Sequence, residues 1–176
     1  QARLDAAGAP AGCPQPCQAE IADHMALSTD GNLLAVSAVI PAAGSGGGAS
    51  ASSAVFTYAR TGTTWAPQAA LNAEGTFIAS LALSGDGSTL AVHATNVPGH
   101  PTAALDIQPS DLTCPGLASD GWYIGLYART GGAWKRQAVV SRGLSGSWAL
   151  ASDGNALSYG NALFTRSTGG SAWACP

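Results

Sequence analysis

Residues able to do chemistry are few in this sequence, and their spacing matches no catalytic motif. Three histidines are present, His24, His93 and His100, and none belongs to an H-E-x-x-H metal motif. Neither a phosphate-binding glycine loop nor a dinucleotide fingerprint occurs. Residues 143–147 (GLSGS) approach the G-x-S-x-G nucleophile elbow but end in Ser instead of Gly. We therefore predict a protein that is not an enzyme and that needs no cofactor.

Candidate binding residues concentrate in one segment, residues 95–122, which interrupts the second copy of a repeat. Insertions in repeat proteins collect on one face and often carry binding. The segment contains Trp122, His100, Asp106, Asp111 and Asp120. These residues either contact a glycan or protein ligand or belong to a surface loop held by a disulfide. A metal site would need His93 to join His100 and Asp106, and we expect none.

The four cysteines are Cys13, Cys17, Cys114 and Cys175. A zinc ribbon needs two close pairs, whereas here Cys114 and Cys175 each lie alone. An even number of cysteines in a Lys-poor chain rich in Ser and Thr favours two disulfides in an oxidising compartment. Three pairings are possible, and the spacing selects none of them.

The composition excludes several classes of protein. Charged residues make up 10% of the chain, Gly accounts for 23 of 176 residues, and the net charge is −3. So few charges oppose disorder, and seven Lys and Arg residues provide no basic surface for nucleic acid. No apolar run reaches the roughly 18 residues of a membrane span. The chain begins at Gln1 and not Met, which indicates a processed or trimmed product, as after signal-peptide removal. We expect an extracellular or bacterial cell-surface location.

An internal repeat is the main signal in the sequence. Residues 26–38 match residues 82–94 at nine of 13 positions, and residues 149–160 form a weaker third copy. A second block follows each copy, at residues 55–71, 124–140 and 162–176. The chain therefore contains three related units.

Each unit is predicted to form four short strands. Asp-Gly pairs at residues 30–31, 86–87 and 153–154 lie between apolar segments, which is a strong hairpin signal because Gly accepts a positive φ. A second turn begins with Thr-Gly at residues 61, 130 and 168, and the strands alternate with period two. The predicted fold is all-β and β-propeller-like, with three four-stranded blades that cover one another.

One aromatic and one basic residue recur in the second block. Trp65, Trp134 and Trp173 follow its turn, and Arg60, Arg129 and Arg166 precede it. We expect the tryptophans to pack between blades, because a recurrent aromatic residue in stacked repeats is usually part of the core. We expect the arginines to hydrogen-bond neighbouring carbonyl groups.

The combined pattern is ALSxDGxxLAV, then an aromatic strand, R-[ST]-G and a Trp. It resembles the FG-GAP-type repeats of bacterial secreted and surface proteins, which are related to the propellers of integrin α-subunits. The resemblance spans residues 21–176 and implies a β-propeller. The integrin version binds calcium through several acidic residues per turn, whereas each turn here carries one Asp. We therefore expect a turn and no calcium site.

The two ends of the chain complement each other. Residues 1–6 (QARLDA) match residues 68–73 (QAALNA) at four of six positions, and the third unit stops before its own copy of that strand. We predict a single domain, residues 1–176, in which residues 1–6 complete the last blade of the same or another chain. Its parts are a closing strand (1–6), a Cys- and Pro-rich linker (7–20) and three blades (21–73, 76–142, and 145–176 with 1–6).

Two functions are compatible with this organisation. The first is a secreted structural or interaction protein that assembles with itself through its terminal strands, into a ring or a filament. A part of a longer propeller, with the other blades on a partner chain, would have the same termini. The second is an extracellular module that binds a glycan or protein through residues 95–122.

Overall fold

The computed structural model describes residues 20–40, 52–73, 76–96, 122–141, 146–167 and 172–174. These residues form 12 β-strands in three four-stranded antiparallel sheets and contain no helix. A helix with the length and hydropathy to cross a membrane is accordingly not found in this part of the chain. The all-β class and the four-stranded units predicted from the repeat are confirmed.

Each sheet is an up-and-down meander with its strands in chain order. The first sheet contains β1 (Glu20–Leu27), β2 (Leu33–Ile40), β3 (Ser52–Thr61) and β4 (Thr64–Ala73). The second contains β5 (Thr76–Leu83), β6 (Thr89–Asn96), β7 (Trp122–Thr130) and β8 (Ala133–Ser141). The third is shorter, with β9 (Trp148–Leu150), β10 (Ala156–Tyr159), β11 (Ala162–Arg166) and β12 (Trp173–Ala174).

The Asp-Gly turn joins the first two strands of every sheet. Its glycines, Gly31, Gly87 and Gly154, have φ values of 67°, 68° and 69°, a region that residues with a Cβ avoid. In the first turn, Asp30 accepts hydrogen bonds from the Ser28 hydroxyl at 2.6 Å and the Asn32 N–H at 2.9 Å. The bond from Ser28 is the main reason that the pKa of Asp30 is lowered. The Asp carboxylates therefore serve to close the turns.

The second sheet packs between the other two. Along β6, Leu90, Val92 and Ala94 alternate with Ala91 and His93, so both faces of this strand are buried. The face with Leu90 and Val92 forms one apolar cluster with Ala35 and Val55 of the first sheet. The opposite face forms a second cluster with residues of the third sheet, namely Leu157, Tyr159, Ala162, Phe164 and Trp173.

The three sheets form an open series. Within the described residues, no sheet closes on itself and no backbone hydrogen bond joins the third Asp-Gly turn back to the first. Neighbouring sheets pack face to face, but the described sheets do not form a ring. The propeller arrangement therefore stays a prediction. The predicted closing strand (1–6), nearly all of the linker (7–20) and all four cysteines lie outside the described residues.

Candidate interaction sites

The three Asp-Gly turns are linked to one another by backbone hydrogen bonds. The N–H of Thr29 donates to the carbonyl of Gly85 at 2.8 Å, and the N–H of Gly85 donates to the carbonyl of Ser152 at 2.7 Å. Thr29, Gly85 and Ser152 occupy the same position in the three copies of the repeat. This turn ladder therefore runs in one direction, from each unit to the next.

The residue at the centre of the turn ladder is Gly85. A side chain at this position would collide with both neighbouring turns, which explains why it is a glycine. A Cβ at this position would lie 2.5 Å from the Ser152 Oγ and 2.8 Å from the Thr29 Oγ1. At the two ends of the ladder, the N–H of Ser152 and the carbonyl of Thr29 make no backbone–backbone hydrogen bond among the described residues. The ends thus carry one donor and one acceptor of the type that the ladder joins.

Two of the recurring arginines reach across to the preceding sheet. Arg129 donates to the Gln68 side chain of the first sheet at 2.9 Å, and Arg166 donates to the Thr89 hydroxyl of the second at 2.8 Å. Arg166 also donates to the carbonyl of Gly154 at 3.0 Å, the kind of bond predicted for it. Arg60 belongs to the first sheet, and its described bonds are with Asn32 in that same sheet, at 3.4 Å.

The recurring tryptophans lie in the apolar clusters. Trp134 packs in the cluster between the first and second sheets, and its indole N–H donates to the Thr57 hydroxyl at 3.2 Å. Trp173 is buried in the cluster between the second and third sheets, where its indole nitrogen has no hydrogen-bond partner. The residue that corresponds to Thr57 in the second unit is Leu126, which has no hydroxyl to offer. Packing between sheets, as predicted, accounts for both residues. Trp65 packs against a cluster of first-sheet residues, without another described sheet beside it.

The two outer faces of the series expose apolar side chains. Residues at the corresponding positions between the sheets are covered by a neighbouring sheet. Leu83 and Leu150 are half-buried against the preceding sheet, whereas their counterpart in the first sheet, Leu27, is 56% exposed. Met25, next to it on the same face, is 65% exposed. At the other end, Leu163 on the outward face of the third sheet is 56% exposed. These three side chains are the apolar ends of the series.

The exposed large apolar side chains of the first sheet, Met25 and Leu27, both lie on its innermost strand, β1. Val36, Phe56 and Tyr58 lie on the same face as Leu27, further from the ladder, and they are buried in a cluster of first-sheet residues. None of the other described sheets packs against this cluster. A partner that uses this face would therefore contact β1 first.

A second site is centred on His93, at the interface between the second and third sheets. The imidazole lies 5.0 Å from the ring of Trp122, 6.0 Å from Trp148 and 5.8 Å from Tyr159, measured between ring centroids. His93 is 8% exposed, and burial lowers its pKa below the ordinary value of 6.5. The neutral imidazole is therefore the stable form at neutral pH.

A short relay of polar groups leads to this histidine. The indole N–H of Trp148 donates to the Ser80 hydroxyl at 2.9 Å, and that hydroxyl lies 3.5 Å from His93 Nδ1. When Ser80 donates its proton to Nδ1, the imidazole proton is on Nε2. His93 Nε2 is buried without a hydrogen-bond partner, so the relay ends at an unsatisfied polar atom.

The strands of the third sheet are shorter than those of the second. Part of the second sheet beside His93 therefore extends past the end of the third sheet. β10 ends at Tyr159, which corresponds to Val92 in the repeat, whereas β6 continues for four more residues to Asn96. Phe77, Thr95 and Trp122 are cross-strand neighbours on this extension and share the face of His93. Phe77 is 53% exposed, and Thr95 and Trp122 are half-buried. We call these three residues the aromatic shelf.

One of the predicted binding residues, Trp122, belongs to the aromatic shelf. His100, Asp106, Asp111 and Asp120 lie outside the described residues. Within the described ranges, no three His, Cys, Asp or Glu side chains are grouped as a metal site would require. Sequence reasoning missed Phe77 and Trp148, and it considered His93 for a metal alone. The available signal was that His93 replaces Ser37 and Gly160 at one position of an otherwise similar repeat.

Comparison with known proteins assigns the chain to no family. No family model matches the sequence, and no curated protein matches it as a relative. The resemblance to FG-GAP-type repeats therefore stays a prediction from the residues.

Proposed function

We propose that this chain is a non-catalytic structural or interaction protein that acts outside the cell. Its three sheets serve as blades of a propeller-like series, and the series continues head to tail onto a second copy of the chain. The observation that carries the proposal is the turn ladder. It repeats one bond from unit to unit and ends on a donor at Ser152 and an acceptor at Thr29.

The two ends of the turn ladder are counterparts, and a second copy would join them along β1, since Val36, Phe56 and Tyr58 on the rest of that face are already buried. The N–H of Ser152 in one chain would donate to the carbonyl of Thr29 in the next, as Thr29 and Gly85 donate within a chain. Leu27 and Met25 of the second copy would then be covered by the outward face of the third sheet, which carries Leu163. Such a head-to-tail contact gives a ring if the rotation closes and a filament if it does not.

Burial of these side chains supplies a driving force for the contact. Full burial of a Leu or Met side chain is worth about 1.5–3 kcal/mol, and the three exposed residues are all large and apolar. Arg60 would also gain a neighbouring sheet to which it can donate hydrogen bonds, as Arg129 and Arg166 donate to the preceding sheet within the chain. The match between residues 1–6 and 68–73 supports the same direction of assembly, with residues 1–6 adding a strand to the third sheet of a neighbour.

Native mass in solution, measured over a range of protein concentrations, tests this function. We expect a mass above that of one chain, and a fall to the monomer mass for Leu27→Asp or Leu163→Asp, because each places a charge in the contact. Ala133→Asp is the matched control, since Ala133 is exposed at a hairpin away from both ends. A wild-type monomer at every concentration would exclude self-assembly. Deleting residues 1–6 tests the strand-addition step separately.

A further inference from the structure

The aromatic shelf has the composition of a ligand platform. Phe77 pairs with Thr95, and Thr95 pairs with Trp122, so the three residues form one row across β5, β6 and β7. Neighbouring strands are about 4.8 Å apart, which places the two aromatic residues about 10 Å apart with the Thr hydroxyl between them. The row is on the part of the second sheet that extends past the end of the third.

The chemistry of the shelf is apolar and neutral. Two aromatic side chains flank one hydroxyl. On this face, two described rows of residues cross β5, β6 and β7, and neither contains an acidic residue, a Lys or an Arg: Phe77–Thr95–Trp122 and Ser80–His93–Ile124. Ligand sites are commonly lined by aromatic side chains with a few polar groups that fix orientation. A neutral sugar meets both conditions, because a pyranose ring has C–H groups that stack on an aromatic face and hydroxyls that hydrogen-bond at its edge.

We propose that the aromatic shelf binds a neutral saccharide, with pyranose rings stacked on Phe77 and Trp122 and the Thr95 hydroxyl bonded to a sugar hydroxyl. This site is separate from the head-to-tail contact, because it lies on the face of the second sheet that the third sheet covers in part. An aromatic row of this length accommodates a short oligosaccharide in preference to one monosaccharide.

His93 is a positioning residue in this site. Its ring lies 5.0 Å from that of Trp122 at an interplanar angle of 34°, and it is itself held by Ser80 and Trp148. The shelf therefore rests on a packed layer, which keeps the Trp122 ring in one orientation before a ligand arrives. Preorganisation of this kind reduces the entropy lost on binding.

Titration of the full chain with neutral hexasaccharides tests the proposal. The probes are the β-linked hexamers of glucose, xylose, mannose and N-acetylglucosamine, followed by tryptophan fluorescence and calorimetry. We expect saturable binding of at least one probe, weakened about tenfold or more by Phe77→Ala, since a lost stacking contact of about 1.4 kcal/mol corresponds to that factor. Phe77 is more than half exposed, so its replacement leaves the core intact.

Two further variants make the outcome decisive. Thr95→Val keeps the shape of the side chain and removes its hydroxyl, so it should weaken binding with little change in stability. Lys135→Ala changes an exposed side chain of β8, outside both the shelf and the head-to-tail contact, and should bind as the wild type does. The proposal is overturned if none of the four probes binds, or if Phe77→Ala binds as tightly as the wild type. Binding of a proline-rich peptide in place of every saccharide would also overturn it.

Discussion

The interface between the first and second sheets differs from that between the second and third in the hydrogen bonding of its recurring tryptophan. At the first, the Trp134 indole finds a hydroxyl on Thr57 of the neighbouring sheet. At the second, the indole of Trp173 is buried without a partner, and His93 Nε2 is as well. Both interfaces are built from the same repeat, and both bury unpaired polar atoms, since the hydroxyl of Tyr127 at the first has no partner either. Only at the first does the recurring tryptophan find one.

This difference shows how a repeat acquires a special site. The positions that set the sheets and turns are kept, whereas single replacements such as Ser37 to His93, or Thr57 to Leu126, change the chemistry between sheets. Buried polar atoms without partners are uncommon in proteins and call for an explanation. One of them, His93 Nε2, belongs to the ring that packs against Trp122 of the aromatic shelf.

The largest effect is expected from removing a core aromatic of the second interface. Phe164 is fully buried in the cluster between the second and third sheets. Phe164→Ala should lower the free energy of unfolding by about 3–5 kcal/mol, because it removes apolar contacts and leaves a cavity. Urea denaturation followed by circular dichroism measures the change. Lys135→Ala, at an exposed position of β8 away from both ends of the series, is the control and should stay within about 0.5 kcal/mol of the wild type.

A side chain at the centre of the turn ladder should strain both interfaces together. Gly85→Ala should lower the free energy of unfolding by about 1–3 kcal/mol, since the added methyl group meets the side-chain oxygens of Thr29 and Ser152. Ser152→Ala in the same background should restore part of the loss by making room. If Gly85→Ala denatures at the same urea concentration as the wild type, the turns are not packed as described.

Replacing each of the two indoles should lower the free energy of unfolding by different amounts, and the difference should be about that of one hydrogen bond. Trp134→Phe removes the bond to Thr57, whereas Trp173→Phe removes an unpaired N–H. We expect Trp134→Phe to be the more costly by about 1 kcal/mol in the free energy of unfolding. A double-mutant cycle with Thr57→Val isolates this coupling. Equal costs for the two replacements and no coupling would mean that the interfaces do not differ in this respect.

The smallest effect is expected from pH. The pKa of His93 is lowered in the folded protein by burial, so the unfolded chain binds the proton more readily. Stability from the neutral ring is therefore complete above the unfolded value of about 6.5 and declines as pH falls below it. His93→Gln should flatten the pH dependence of the unfolding midpoint between neutral and mildly acidic pH. An unchanged slope in this variant would remove His93 as its cause.

The sheets and turns were predictable because their signals are local. Asp-Gly between apolar segments specifies a positive φ at Gly31, Gly87 and Gly154, and alternation along β3 specifies its two faces. The aromatic shelf was not predictable in the same way. Exposure of Phe77 depends on where β10 stops, and the partner of each indole depends on how two sheets meet across 77 residues of sequence, as Thr57 and Trp134 do.

Mixing two variants tests whether the open series of sheets continues onto a second copy. Leu27→Asp keeps an intact third-sheet end, and Leu163→Asp keeps an intact first-sheet end, so each is expected to be a monomer alone. Mixed together, they share one intact head-to-tail contact, and native mass should show a dimer with one chain of each kind. A mixture that stays monomeric, beside a wild type that assembles, would contradict the head-to-tail arrangement.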